Sequence, residues 1–232
     1  MKSLLKRILN FGSTVLCRRE FRRQSFVRFN ERPVEYAFLF RHLAQICPRK
    51  VLDVGTGITA LPHLIRNCGC LVTAIDNIRD YWPTGMFNRH YHVIDDDITQ
   101  LKLSGEFDLI ACISVLEHIE NADAAIKNIF SRMAPNGYLV LTCPYSEREY
   151  TKNVYELPGS LYGQTASYIC QSYSRSDLDR WTKNNNGIIV EQEFWQFWDG
   201  PCWTVGNQIV PPHRTDGDAL HQLTCLLIQK RY

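Results

Sequence analysis

A chain of 232 residues, 45% hydrophobic and 22% charged, has the size and composition of one globular domain with elaborations, which excludes a disordered or fibrous class. Its net charge of +2 offers no surplus for gathering nucleic acid, and no apolar run is long enough for a membrane span. Nine cysteines, an odd number without a C-x-x-C pair, speak against a disulfide frame or a metal site; Cys68 and Cys70 bracket the entry to a strand, and the set reads as reduced, mostly buried thiols of a cytosolic protein.

Residues 1–30 stand apart as a basic arm. Lys2, Lys6, Arg7, Arg18, Arg19, Arg22 and Arg23 accompany one acid, Glu20, and Leu4, Leu5, Ile8, Leu9, Val15 and Leu16 recur at helical spacing. Such an arm either folds on its own domain or lies against a membrane surface or a protein partner. Lys6 and Arg7 interrupt the apolar run and no small-residue cleavage site follows, unlike a secretory signal. Pro33 then opens a helix with Val34, Phe38, Leu39, His42, Leu43 and Ile46 on one face, and Pro48 ends it. Glu35 and Tyr36 fall in its first turn, where a helix covering a pocket would place them.

Val51, Leu52 and Val54 form the apolar run of a buried parallel strand, which stops at Gly55 and Gly57 before helix-compatible residues 59–66. Strand, glycine turn and helix together form a frame in which backbone N–H groups face a ligand, although a ligand-free turn has the same pattern. Gly55-x-Gly57-x-x-Ala60 also fits the dinucleotide fingerprint. A second strand, 71–75, ends in Asp76, 19 residues past Gly57. A carboxylate there either takes two hydrogen bonds from the vicinal diol of a ribose or caps a helix. Tyr91, Val93 and Ile94 suggest a third strand running into Asp95, Asp96 and Asp97, acids that must cap helices or bind something to sit together. Residues 107–113 read as the fourth strand, 122–133 as an amphipathic helix ended by a left-handed turn at Gly137, and 138–143 as a fifth strand ended by Pro144. Residues 176–183 read as a helix capped by Ser174, and 188–197 and 223–229 as the sixth and seventh strands. The aperiodic segments 145–173 and 198–220 should roof a pocket, with Tyr155, Tyr162, Trp198 and Trp203 stacking on a flat acceptor or on one another.

Taken in order across residues 49–143, these stretches resemble the class I S-adenosylmethionine-dependent methyltransferases. The glycine loop resembles that family's D/E-x-G-x-G-x-G, with Thr59 where the third glycine would stand; Asp97-Ile98 matches its adenine-binding pair, and Phe107 to Ile110 followed by Leu116-Glu117-His118 matches its fourth-strand motif. The resemblance implies a single Rossmann-like, doubly wound α/β fold of seven mainly parallel strands with one antiparallel edge strand, spanning residues 31–232 behind the arm and N-terminal helices. It implies S-adenosylmethionine as cofactor, held by Tyr36, Asp53, Gly55, Thr56, Gly57, Asp76, Asn77, Asp97, Ile98 and Ser114. The reaction implied is methyl transfer to a small acceptor. Residues 30–36 resemble the lead helix of glycan-building methyltransferases, which suggests a sugar hydroxyl. His118, after the fourth strand, is the candidate general base or else a wall of the pocket, with Tyr145, Glu147 and His213 in reserve. An NAD-dependent oxidoreductase and a non-catalytic scaffold are the alternatives. The expected setting is cytoplasmic, at the inner face of a membrane if the arm docks there.

Overall fold

The computed structural model describes residues 2–26, 29–82 and 84–231. It divides into two compact units, Met1–Asn30 and Glu31–Tyr232. The first is a helix, α1 (Lys2–Arg22), along which the apolar side chains from Leu4 to Leu16 stand exposed. Within the expected arm, Met1, Val27 and Arg28 lie outside the described residues. No helix among the described residues is long and apolar enough to cross a membrane.

The second unit begins with α2 (Arg32–Ile46) and then alternates: β1 (Lys50–Val54), α3 (Leu61–Asn67), β2 (Leu71–Asp76), α4 (Ile78–Tyr81), β3 (Ile94–Asp95), β4 (Phe107–Ile113), α5 (Ala122–Arg132) and β5 (Met133–Ser146). It closes with β6 (Tyr173–Ser174), α6 (Arg175–Asn184), β7 (Gly187–Trp198), β8 (Gln208–Thr215) and β9 (Leu223–Lys230). The strand order is β3-β2-β1-β4-β5-β9-β7-β8, with β6 paired to the far end of β5. Strands β1 to β5 are parallel, and β9 runs antiparallel to both of its neighbours. Alternate residues of β4 explain its uninterrupted apolar run. Ile110 and Cys112 join α5 and α6 in one core layer, while Leu109, Ala111 and Ile113 join α2 and α3 in the other.

The doubly wound, mainly parallel sheet is therefore present, with four local differences from the sequence reading. Residues 208–215 form an eighth strand of the sheet, hidden in the sequence because Pro211 and Pro212 interrupt it; an outer edge tolerates prolines that an inner strand would not. The reversed strand β9 lies inside the sheet, as its nearly continuous burial demands. Strand β5 continues past Pro144 to pair Tyr145 and Ser146 with β6. Near the start of β5, Asn136 adopts the left-handed conformation (φ 58°), and Gly137 serves instead for space: a Cβ there would meet the Ala134 carbonyl oxygen at 2.9 Å.

Candidate functional site

The β1–α3 turn is left-handed at Gly55 (φ 70°) and Gly57 (φ 55°). At Gly55 a Cβ would also lie 2.3 Å from Val115, so only glycine fits. Thr59 has no left-handed backbone; its hydroxyl donates to the Thr56 carbonyl at 2.9 Å, so this turn closes without a third glycine. Asn88 clamps the loop from outside, its amide donating to the Gly57 and Thr59 carbonyls at 2.9 Å each. Asp53 is buried beneath the loop and accepts the Thr56 hydroxyl at 2.7 Å. Burial pushes its carboxyl up to about 7, with the Thr56 bond pulling the other way. Asp53 and half-buried Tyr36 brace the loop from behind and do not line the cavity in front of it.

Asp76 ends β2 opposite this turn. It accepts the Gly57 amide at 2.7 Å and the Trp82 indole N–H at 3.0 Å. Asn77 caps α4 by accepting the Asp80 amide at 3.3 Å. The neighbouring acids owe their closeness to separate partners, each accepting from a different stretch of backbone. Asp95 accepts the Ile78 amide and pairs with Arg79, Asp96 accepts the Leu103 amide at 2.8 Å, and Asp97 takes the Thr99 amide and hydroxyl at 2.8 Å. Ile98 is buried beside Asp97, and both face the cavity.

At the end of β4, Ser114 is held left-handed (φ 50°) by partners from α2 and β5. Its amide donates to Thr142 Oγ1 at 3.0 Å, and its hydroxyl to Glu35 at 2.5 Å. Fully buried Glu35 also accepts from Thr142 at 2.6 Å and from Arg32 at 3.0 Å, and Arg32 reaches the Ile113 carbonyl at 3.2 Å. Burial raises the Glu35 carboxyl, opposed by Arg32. His118 Nδ1 lies 2.7 Å from the Ile169 carbonyl oxygen, which can only accept, so the neutral ring carries its proton on Nδ1 and keeps Nε2 as acceptor. Burial pushes the imidazole below its ordinary value, opposed by that carbonyl. Glu117 Oε1 sits 3.9 Å from Nε2, and burial raises its carboxyl to about 8, so it is mostly protonated at neutral pH.

All these segments open on one cavity of about 980 Å³ at the carboxyl ends of the parallel strands, where open α/β sheets place their ligands. Gly55, Thr56, Gly57, Asp76, Asn77, Asp97, Ile98, Ser114 and His118 line it. Tyr145, Glu147 and His213 do not: Tyr145 donates to Glu147, which pairs with Arg175, and His213 lies on edge strand β8. The expected roof is half present. Asn153, Glu156 and residues 166–169 line the cavity, whereas nothing from 198–220 does, because Trp198 and Trp203 pack with Tyr162 and Phe197 in a core layer. Sequence reasoning missed Arg32, Tyr81, Trp82 and Tyr168, which also line it. Arg32 could have been found: a cation beside Pro33, three residues before Glu35, has a partner on the same helix face.

A family model described as a methyltransferase domain matches residues 20–192. Among curated proteins, the ubiquinone biosynthesis O-methyltransferase of Rickettsia typhi is 26% identical over 122 residues, 50% of each chain. An uncharacterized protein of Synechococcus sp. is 33% identical over 46% of this chain and 28% of its own length. The chain thus spans about half the length of the first curated relatives it matches. Two solved structures share the fold. The 1,6-didemethyltoxoflavin-N1-methyltransferase of Burkholderia thailandensis, bound to S-adenosylhomocysteine, has TM-score 0.56 and 17% identity over 99% of this chain and 89% of its own. The magnesium protoporphyrin IX methyltransferase of Synechocystis PCC 6803 has TM-score 0.55 and 16% identity over 99% and 100%.

Proposed function

This chain belongs to the methyltransferase-domain family, and on that premise we propose that its cavity takes S-adenosylmethionine and directs the methyl group to a hydroxyl on a flat, aromatic acceptor. The observation that carries the reading is the convergence of Gly55–Gly57, Asp76, Asp97–Ile98 and His118, from four separate segments, on one cavity. The donor fits these residues. The missing Cβ at Gly55 makes room for Val115, and Gly55, Thr56 and Gly57 line the cavity; Asp76 offers a carboxylate for a ribose diol, and Asp97 with Ile98 an acceptor and an apolar cover for adenine. Arg32, drawn to the cavity wall by Glu35, suits a carboxylate. When bound, S-adenosylmethionine supplies a methyl group activated on a sulfonium, which leaves the protein the task of placement and of removing one proton.

His118 Nε2 is the group to take that proton, with the ring tautomer held by the Ile169 carbonyl. Its lowered pKa keeps it neutral, and so competent, at physiological pH. Tyr81 and Tyr168 form an aromatic rim beside it, with the Tyr168 ring edge-on to His118 at 4.6 Å, and this favours a planar acceptor. An oxygen acceptor agrees with the activity named for the Rickettsia relative. A sugar hydroxyl, expected from residues 30–36, finds no counterpart in that name; its support is the polar pair Asn153 and Glu156, hydrogen-bonded at 2.8 Å on the cavity wall.

The test is incubation with S-adenosylmethionine and two acceptor panels, dihydroxylated aromatic acids and free sugars, followed by mass spectrometry for one added methyl group. Methylation confined to the aromatic panel supports the proposal. Methylation of sugars alone overturns the acceptor class, and S-adenosylhomocysteine failing to bind overturns the donor site.

A further inference from the structure

We propose that α1 is an in-plane membrane helix that seats the protein on an anionic lipid surface. The inference concerns the first unit alone and does not depend on the reaction at the cavity. At 3.6 residues per turn, Leu5, Ile8, Leu9, Phe11, Val15 and Leu16 fall within an arc of about 160°. Each is between 48% and 71% exposed. The opposite arc carries Lys6, Arg7, Asn10, Ser13 and Thr14, and the Thr14 hydroxyl is turned back onto the Asn10 carbonyl at 2.8 Å, so it competes for no partner. Past Leu16 the apolar face gives way to Arg18, Arg19 and Arg22.

Charge identifies the occupant. Residues 1–30 hold eight Lys and Arg against one acid, while residues 31–232 hold 18 against 23. The whole basic surplus of the chain therefore lies in the arm, and the larger unit is itself acidic. A partner for α1 must be apolar at one depth and negatively charged just above it. The interface of a bilayer with acidic headgroups presents both in that order, with the long arginines reaching from the apolar level to the headgroups. A helix this polar on its second face, and far from apolar enough to span, lies in the plane of the surface.

The test is sedimentation of the full chain with vesicles of phosphatidylcholine alone and of phosphatidylcholine with phosphatidylglycerol at roughly two to one. Wild type should pellet only with the anionic vesicles and release as salt rises. Ile8→Glu with Val15→Glu should abolish pelleting while leaving S-adenosylhomocysteine binding intact, which shows that the variant is folded. Arg18→Gln, Arg19→Gln and Arg22→Gln together should weaken vesicle binding by about a hundredfold. Wild type remaining in the supernatant, or the Ile8→Glu, Val15→Glu chain pelleting as well as wild type, overturns the proposal. Lipid-free dimers of wild type that the same two substitutions dissociate would also overturn it, by assigning the face to a second copy.

Discussion

Asp76 already holds two donors, the Gly57 amide and the Trp82 indole, so it tethers the glycine loop as well as facing the cavity. Asp76→Ala should weaken S-adenosylhomocysteine binding by about 1.5–3 kcal/mol, roughly ten- to a hundredfold in Kd. Titration calorimetry measures this, and an unchanged Kd would leave Asp76 a purely structural residue. The Trp82 ring lies 3.4 Å from where a Cβ on Gly57 would be, at the mouth of the same loop. A ligand on the loop must alter its surroundings, so product binding should change tryptophan fluorescence in wild type and lose most of that change in Trp82→Phe. At His118 two substitutions separate two roles. His118→Ala and His118→Gln should both lower turnover by ~10²–10⁴-fold if the ring takes a proton. Near-normal turnover in His118→Gln would make it a wall residue, since glutamine can hold a hydrogen bond but accepts no proton at neutral pH. Because the neutral ring is the active form and burial lowers its pKa, the wild-type rate should rise with pH through a midpoint below the ordinary histidine value of 6.5.

Helices α5 and α6 show how elements frame the site without touching chemistry. Ala125, Ile126, Ile129 and Phe130 of α5 are buried against β4 and β5, the central strands that lead into Ser114 and carry Thr142. Ile129→Ala should cost about 2–5 kcal/mol, read by chemical denaturation, with the residual cavity setting where in that range it falls. The periodicity of α5 announced this face, and Ser174 announced the start of α6, where it forms a reciprocal capping box with Asp177. Strand β8 was invisible by the same logic. Its two prolines break the local pattern of a strand, and only the exposed edge of β7 made a strand there acceptable.

For the whole molecule, buried carboxyls set the response to pH. The Glu117 carboxyl is raised from 4.5 to about 8 and that of Asp53 from 3.8 to about 7, in each case chiefly by burial. The folded state holds these protons more tightly than the unfolded chain, so their contribution is fully present at acid pH and is lost as pH climbs from about 4 to 8. Thermal stability should therefore fall across that interval. Glu117→Gln should remove its share, and the variant should exceed wild type at pH 8 by on the order of a few kcal/mol while matching it near pH 4. Parallel melting curves at both pH values would show Glu117 to be charged in the fold. The sequence by itself determined the buried runs of β1, β2, β4 and β5, the glycine turn, the acid ending β2 and Leu116-Glu117-His118, because burial, left-handed turns and caps act within a few residues. Only the tertiary structure decided that Glu35, Ser114 and Thr142, separated by 79 and 107 positions, share one hydrogen-bonded knot with Arg32. It alone separated the two expected roof segments, keeping 166–169 on the cavity and sending Trp198 into the core. Those meetings follow from strand order and register across the sheet, which couple residues far apart in the chain and leave no local spacing to read.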